Sequence, residues 1–347
     1  MTILKGVFRR LGLVALTALL PTAVLAEELN IYNWGEYINP AVLQKFEEET
    51  KIKVNLSTYS SNEEMLAKIQ GGATGYDIVF PSIHMQEIMA KLNLLEKTDI
   101  DTYEGFKNID PQFLRAKSDP KGEFCLPYAF GTVGILYNRR VLGKDITGWK
   151  DLIATVKEKH LKFTLLDDMR EVLGVGLILN GHSVNSTKPE DLQQAADTVI
   201  DMKPYVAAFT YDSRPMVESG DIAAAHFFVG SMINVFGNPK ELGYVIPQEG
   251  ATMYQEDMCV LKTAPNKTNA IKFLQFYTRP DVAALNVAQQ TNGTPNVPAR
   301  QLTPENIKNS KEINPTDETM KRLQIFENLG PGLRQFDRVW TKVKTAQ

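Results

Sequence analysis

Three groups of residues have types and spacings that could do chemistry. Trp34 and Tyr37 flank Gly35, and a tryptophan face can hold a cation or an alkyl chain; ordinary packing between helices is the alternative. Asp168 and Glu171, three apart, share one face at a helix start, where the helix N-terminus favours negative charge. They can pair with ammonium groups, or Asp168 can serve only as a cap, with Arg170 neutralising either acid. Asp257 precedes apolar Met258 and Val260. An acid there is costly to bury unless paired, so either it meets a bound cation or a buried arginine, or it is a solvated turn acid.

Catalytic chemistry finds less support. The histidines His84, His160, His182 and His226 show no metal-ligand spacing. There is no G-x-S-x-G elbow and no phosphate-cradling glycine loop. Gly71-Gly72 and Gly131-x-x-Gly134 read as a helix stop and a flexible crossing, and His226 as a core histidine in a buried strand. Paired acids can act as general acid and base, but a shared helix start makes charge recognition simpler. We therefore expect a binding protein, with no catalytic residue, metal or cofactor.

The elements that must position these groups begin as strand, helix, strand, helix, strand, helix. Strands are expected at 29–33, 51–56 and 77–80. Asn39 caps the first helix, with Pro40 at its first position. Ser61 and Glu64 form a capping-box spacing before Met65, Leu66 and Ile69. This alternation predicts a parallel sheet with helices on both faces, whose ligands bind beyond the carboxyl ends of the strands. Two such ends are rich in polar and aromatic groups, 33–37 and 81–84, the latter carrying Ser82 and His84. From Cys125 the pattern changes to an extended crossing into a second lobe, with strands expected at 163–166, 223–229 and 242–246. A return crossing is expected at 258–261, and a helix at 269–276.

The first 26 residues form a leader. Lys5, Arg9 and Arg10 precede an apolar run at 11–20 and a small-residue site ending at Ala26, the pattern of a cleaved secretory signal. The leader carries three basic and no acidic residues, so the formal charge falls from -3 to -6 without it. With no basic stripe, nucleic acid is not an expected partner. Export permits a disulfide between Cys125 and Cys259.

In order and spacing, several fragments resemble the bacterial periplasmic spermidine/putrescine-binding proteins of ABC importers. They are Ile31-Tyr32-Asn33-Trp34 with Tyr37, Ser61-Asn62-Glu63, Tyr76-Asp77-Ile78-Val79, Pro81-Ser82 and Leu126-Pro127-Tyr128. Further on come Asp167-Asp168 with Arg170-Glu171-Val172, the run 279–283, and Thr294-Pro295-Asn296. The resemblance implies an α/β, periplasmic binding protein-like fold of type II, with two lobes joined by crossing hinge strands. Lobe 1 would comprise 27–132 and 258–303, and lobe 2 would comprise 133–257 and 304–347. It implies a polyamine ligand, inner-membrane ABC permease subunits as partners, a monomer, and no enzymatic activity. It places Trp34, Tyr37, Ser82 and His84 on one wall and Asp168, Glu171 and Phe228 on the other. Asp257 would anchor an amine, with Gln255 and Asn292 nearby and Phe326 near the tail. It also sets the two crossings side by side, which implies a Cys125–Cys259 disulfide.

The chain departs from the family's aromatic box. His84 stands where an aromatic residue is common, Phe228 where tryptophan is usual, and Asn292 where a tyrosine stands. Tyr254 and Gln255 straddle a second tryptophan position, with one extra residue before Asp257. The acid pair Asp168 and Glu171 resembles the spermidine-preferring members. The alternatives are a binding protein for another small cationic or polar solute, such as an opine, a chemosensory or adhesive role, and a lyase or hydrolase using the paired acids.

Overall fold

The computed structural model describes residues 27–72 and 74–346; the leader expected at 1–26 lies outside them. Strand β1 (Glu28–Trp34) leads into helix α1 (Pro40–Thr50), where Asn39 Oδ1 accepts the Ala41 N–H and Val42 and Phe46 are buried. The helix stops at Lys51, in the left-handed region at φ 62°, so β2 (Lys53–Tyr59) starts later and runs further than its expected 51–56. Ser61 Oγ accepts the Glu64 N–H at the start of α2 (Asn62–Gln70), and the Glu64 carboxylate reaches back to the Ser60 N–H. β3 (Ile78–Val79) and α3 (Ile83–Lys91) complete this half.

The 14-residue strand β4 (Cys125–Asn138) is buried along its whole length. Then follow α4 (Arg139–Leu142), α5 (Trp149–Lys159), β5 (Phe163–Leu165), α6 (Met169–Leu179), α7 (Pro189–Met202), β6 (Val206–Phe209), α8 (Arg214–Ser219), β7 (Ala224–Phe228), α9 (Met232–Gly237) and β8 (Leu242–Val245). The return strand β9 (Ala251–Val260) begins seven residues before the expected 258–261. It is followed by α10 (Lys267–Tyr277), α11 (Pro280–Gln290), α12 (Val297–Leu302), α13 (Glu305–Lys308), α14 (Asp317–Met320), β10 (Leu323–Ile325) and α15 (Leu333–Thr345).

The strands run in the order β2-β1-β3-β9-β4-β7-β5-β6, with β10 beside β9 and β8 beside β4. β2, β1 and β3 are parallel, and so are β6, β5 and β7. Between these sets, β4 and β9 run antiparallel from the Cys125–Cys259 pair to the Val133–Thr252 pair. One core gathers around Leu29, Phe46, Phe80 and Phe273; a second gathers around Trp149, Phe163, Leu173 and Phe336, with Leu136, Met232 and Tyr244 in a neighbouring cluster. The two parallel sets are thus separate α/β lobes joined by β4 and β9.

Cys125 and Cys259 are disulfide-bonded at the lobe 1 end of the crossing pair. Three positions along, Tyr128 forms a bulge: Pro127 lies opposite Asp257, and Ala129 opposite Glu256. The pleat alternates from there on. Thr252, Tyr254 and Glu256 lie on one face of β9, and Met253, Gln255 and Asp257 on the other.

Candidate functional site

The carboxyl ends of both parallel strand sets meet the first of these faces. From lobe 1, Tyr37 follows β1 and its hydroxyl donates to Glu256 Oε2 at 2.6 Å. Ser82 follows β3 and donates to Glu256 Oε1 at 3.0 Å, while its own Oγ accepts from Asn62 Nδ2 at 3.1 Å. The Tyr37 carbonyl is held by the Tyr128 hydroxyl, which Asn286 also reaches, so the bulge residue fixes the loop carrying Tyr37. Trp34 is half-buried, with its indole N–H donating to Phe80 O at 2.8 Å and its ring against Tyr59. Its ring is therefore anchored to the lobe 1 core.

From lobe 2, Asp168 follows β5 and caps α6: its Oδ1 accepts the N–H groups of Arg170 and Glu171 at 2.8 and 3.0 Å. The capping role of that acid is seen directly, with Oδ1 on the two N–H groups, while Oδ2 accepts from Tyr211 at 3.2 Å. Glu171, one turn in, accepts from Thr252 Oγ1 at 2.5 Å. Phe228 ends β7; it stacks parallel with Tyr211 at 6.2 Å and meets Tyr254 edge-on at 5.7 Å. Tyr254 donates to Asn292 Oδ1 at 2.7 Å. These bonds bring Tyr37, Ser82, Asp168, Glu171, Phe228 and Asn292 around the Thr252–Tyr254–Glu256 face.

Asp257 and Gln255 are not brought there. Asp257 is 3% exposed and points to the opposite face, where Gln255 Nε2 donates to it at 2.8 Å and to Phe113 O at 2.7 Å. Asp257 is one residue from Glu256, and with a side-chain period of two the neighbours fall on opposite sides of the sheet. Glu256 occupies the face assigned to Asp257, and Tyr254 the face assigned to Gln255. Thr252 and Tyr211 also belong to the constellation, and neither was singled out from the sequence. The stretch Thr252 to Asp257 is polar on both faces, so its alternation gives no phase.

The electrostatics of the site follow from burial. Desolvation pushes the Glu171 carboxyl up to about 8; Asp168 adds to the rise, while Thr252 and Arg170 oppose it. Glu256 is pushed up to about 7 by desolvation, against the hydrogen bonds from Tyr37 and Ser82. His84, on the first turn of α3, is lowered to about 4 by desolvation and by Arg170, so it is neutral at pH 7. His226 is buried behind Glu171, 4.0 Å from Oε2, and desolvation lowers it to about 3. Its Nδ1 has no partner, so it is a core histidine only partly satisfied.

Arg170 makes no ion pair with either acid, although its charge offsets part of the rise at Glu171. Its guanidinium lies over the Phe326 and Phe336 rings at 4.4 and 4.9 Å and donates to Asn185 Oδ1 and Glu327 O. Among the described residues, no lysine or arginine forms an ion pair with Asp168, Glu171 or Glu256. Among the described residues, no group of histidine, cysteine and acidic side chains could hold a metal ion and no helix is long and apolar enough to cross a membrane.

The bacterial extracellular solute-binding protein family matches residues 41–315. The chain is 33% identical to the spermidine/putrescine-binding periplasmic protein of Salmonella typhimurium, with 92% of each covered. It is 32% identical to the putrescine-binding periplasmic protein SpuD of Pseudomonas aeruginosa, again over 92% of each. The crystal structure of the spermidine/putrescine ABC transporter substrate-binding protein of Streptococcus pneumoniae superposes with a TM-score of 0.83 at 34% identity, covering 92% of this chain and 99% of that one. These relatives are binding proteins, the one from Streptococcus pneumoniae being the substrate-binding protein of an ABC transporter. With its two lobes and crossing strands, this chain belongs to the bacterial extracellular solute-binding proteins.

Proposed function

We propose that this protein captures a polyamine, spermidine or putrescine, between its lobes and delivers it to an ABC importer. The observation that carries this reading is three carboxylates, Asp168, Glu171 and Glu256, converging on one aromatic-lined face with no cation of the protein bound to them. Burial makes the charged forms of Glu171 and Glu256 costly, so these acids hold their protons up to about pH 8 and 7 until a cation arrives. A protonated polyamine supplies charged ends for the acids and methylene groups for the rings of Tyr37, Phe228 and Tyr254. In this reading Glu256 takes the anchoring role expected of Asp257, and Tyr254 that expected of Gln255. Trp34, Ser82, His84 and Asn292 complete the walls.

The names of the relatives support the same ligand class, since one is a spermidine/putrescine-binding protein and the other a putrescine-binding protein. We place lobe 1 at 27–132 and 258–303 and lobe 2 at 133–257 and 304–347. The protein would work in the periplasm after cleavage near Ala26, as a monomer that presents its closed form to inner-membrane permease subunits.

A thermal-shift panel of polyamines, amino acids, opines and sugars, followed by calorimetry of each hit, tests the reading. Spermidine or putrescine should raise the melting temperature and the neutral sugars should not. A response confined to a neutral solute contradicts it.

A further inference from the structure

The three parallel strands of lobe 2 end side by side, and each end delivers one group to the same place. β5 leads to Asp168, β7 ends in Phe228, and β6, between Val206 and Phe209, leads to Tyr211. The loop bearing Tyr211 is tied at both sides, since Thr210 N donates to Leu165 O and Thr210 Oγ1 accepts the Asp212 N–H. The ring nevertheless stands 49% exposed, a large aromatic surface left facing the space between the lobes.

Two contacts define what it does there. The ring lies parallel to Phe228, and the hydroxyl donates to Asp168 Oδ2 at 3.2 Å. Oδ1 of the same carboxylate is committed to the N–H groups of Arg170 and Glu171. Oδ2 is therefore the oxygen left for a ligand, and a neutral donor of the protein already occupies it.

We propose that Tyr211 is a specificity-determining residue: its hydroxyl holds Asp168 until an ammonium displaces it, and its ring then flanks the bound chain beside Phe228. The proposal rests on the cation-binding reading above. The selectivity follows from the exchange. Both donors make hydrogen bonds assisted by the carboxylate's charge, but an ammonium adds the Coulomb attraction of a full positive charge, so it recovers more than the displaced hydroxyl gave. The hydroxyl of a sugar or another neutral solute only replaces like with like. Tyr211 thereby raises the threshold for neutral solutes at a cleft whose walls are otherwise rich in polar groups.

Removing the hydroxyl and removing the ring then act in opposite directions. Y211F frees Oδ2 and keeps the ring, so spermidine should bind about threefold to tenfold more tightly, the worth of one exchanged hydrogen bond. Y211A frees Oδ2 but removes a cation-facing ring, and should bind spermidine about threefold or more weakly than Y211F. Calorimetric titration of wild type, Y211F and Y211A with spermidine reads this, with thermal melts to establish that the exposed loop tolerates both changes. Equal affinities for all three proteins overturn the inference and leave the polyamine reading intact. So does equal weakening in both variants, which would make the hydroxyl a direct ligand contact. Wild type that binds no polyamine at all overturns both readings together.

Discussion

Two neighbouring acids on β9 make an informative comparison. Glu256 and Asp257 are equally buried, at 5% and 3% exposure. Both are pushed upward by desolvation, to about 7 and about 8. Their surroundings differ completely. Glu256 faces the space between the lobes and is held by two hydroxyls, Tyr37 and Ser82, from the ends of two lobe 1 strands. Asp257 faces the back of the crossing pair, where an amide, Gln255, is its donor, and Asp119 and Glu256 raise its pKa further. Burial and titration therefore do not identify a binding acid. The pleat separates them, by turning Glu256 toward the space between the lobes and Asp257 away from it.

The largest expected effect separates these two acids. E256A should weaken spermidine binding by about 2–5 kcal/mol, since removing one partner of a desolvated charge pair strands the other. D257A should leave the affinity within about threefold of wild type, because its side chain lies on the far face. Calorimetric titration of both variants measures the contrast, and an unchanged E256A beside a crippled D257A would reverse the assignment.

The register behind the comparison is pinned by the Cys125–Cys259 disulfide, which closes a loop with a sequence separation of 134. The C125A/C259A double variant should lose roughly 2–5 kcal/mol of stability, read as a lower denaturant midpoint. Its affinity should stay near wild type, because the bond lies at the lobe 1 end of the pair, beyond Glu256. A ligand affinity that falls as far as in E256A would show instead that the bond positions the anchor.

Protonation sharpens the contrast further. Glu171 and Glu256 have folded pKa values raised above the ordinary carboxyl value of 4.5, to about 8 and about 7. Between those limits the ligand-free folded protein binds more protons than the unfolded chain. Its stability, full below about pH 4.5, should fall as pH rises through about 7 and 8. Spermidine selects the charged carboxylates, so its apparent affinity should rise over the same interval and binding should release protons. Calorimetry in buffers of different ionisation enthalpy reads that release. Zero or net proton uptake near pH 7 would count against both acids as amine partners.

The smallest effect concerns an exposed pair. Lys117 lies before β4 and Glu327 after β10, 3.2 Å apart and well exposed, so K117A should change ligand affinity by less than about 1 kcal/mol. A larger loss in titrations at moderate salt would make this contact a true latch between the lobes.

Much of this was legible in the sequence, for reasons that can be named. The caps at Asn39 and Ser61 were readable because each satisfies an N–H locally. The first strands and helices followed from their apolar spacing. Asp168 and Glu171 were readable because helix geometry fixes two residues three apart on one face, and the structure keeps them there. The acid on β9 was not. Placing Glu256 requires knowing which face β9 turns to the lobes, and that is set by its pairing with β4, more than a hundred residues away. Tyr211 was hidden for a different reason: it follows a short strand, and nothing local shows that β6 lies beside β5, so that Tyr211 meets Asp168. The helices α7 and α15 went unassigned although they pack on lobe 2, with Leu192 and Phe336 buried in its core.

A crystal structure of the spermidine complex tests the central claim most directly. The account predicts ammonium nitrogens about 2.7–2.9 Å from carboxylate oxygens of Glu256 and of Glu171 or Asp168, with Asp257 still bonded to Gln255 behind the strand. A complex in which these three carboxylates are bound by the protein's own lysines or arginines, with spermidine elsewhere, would contradict it.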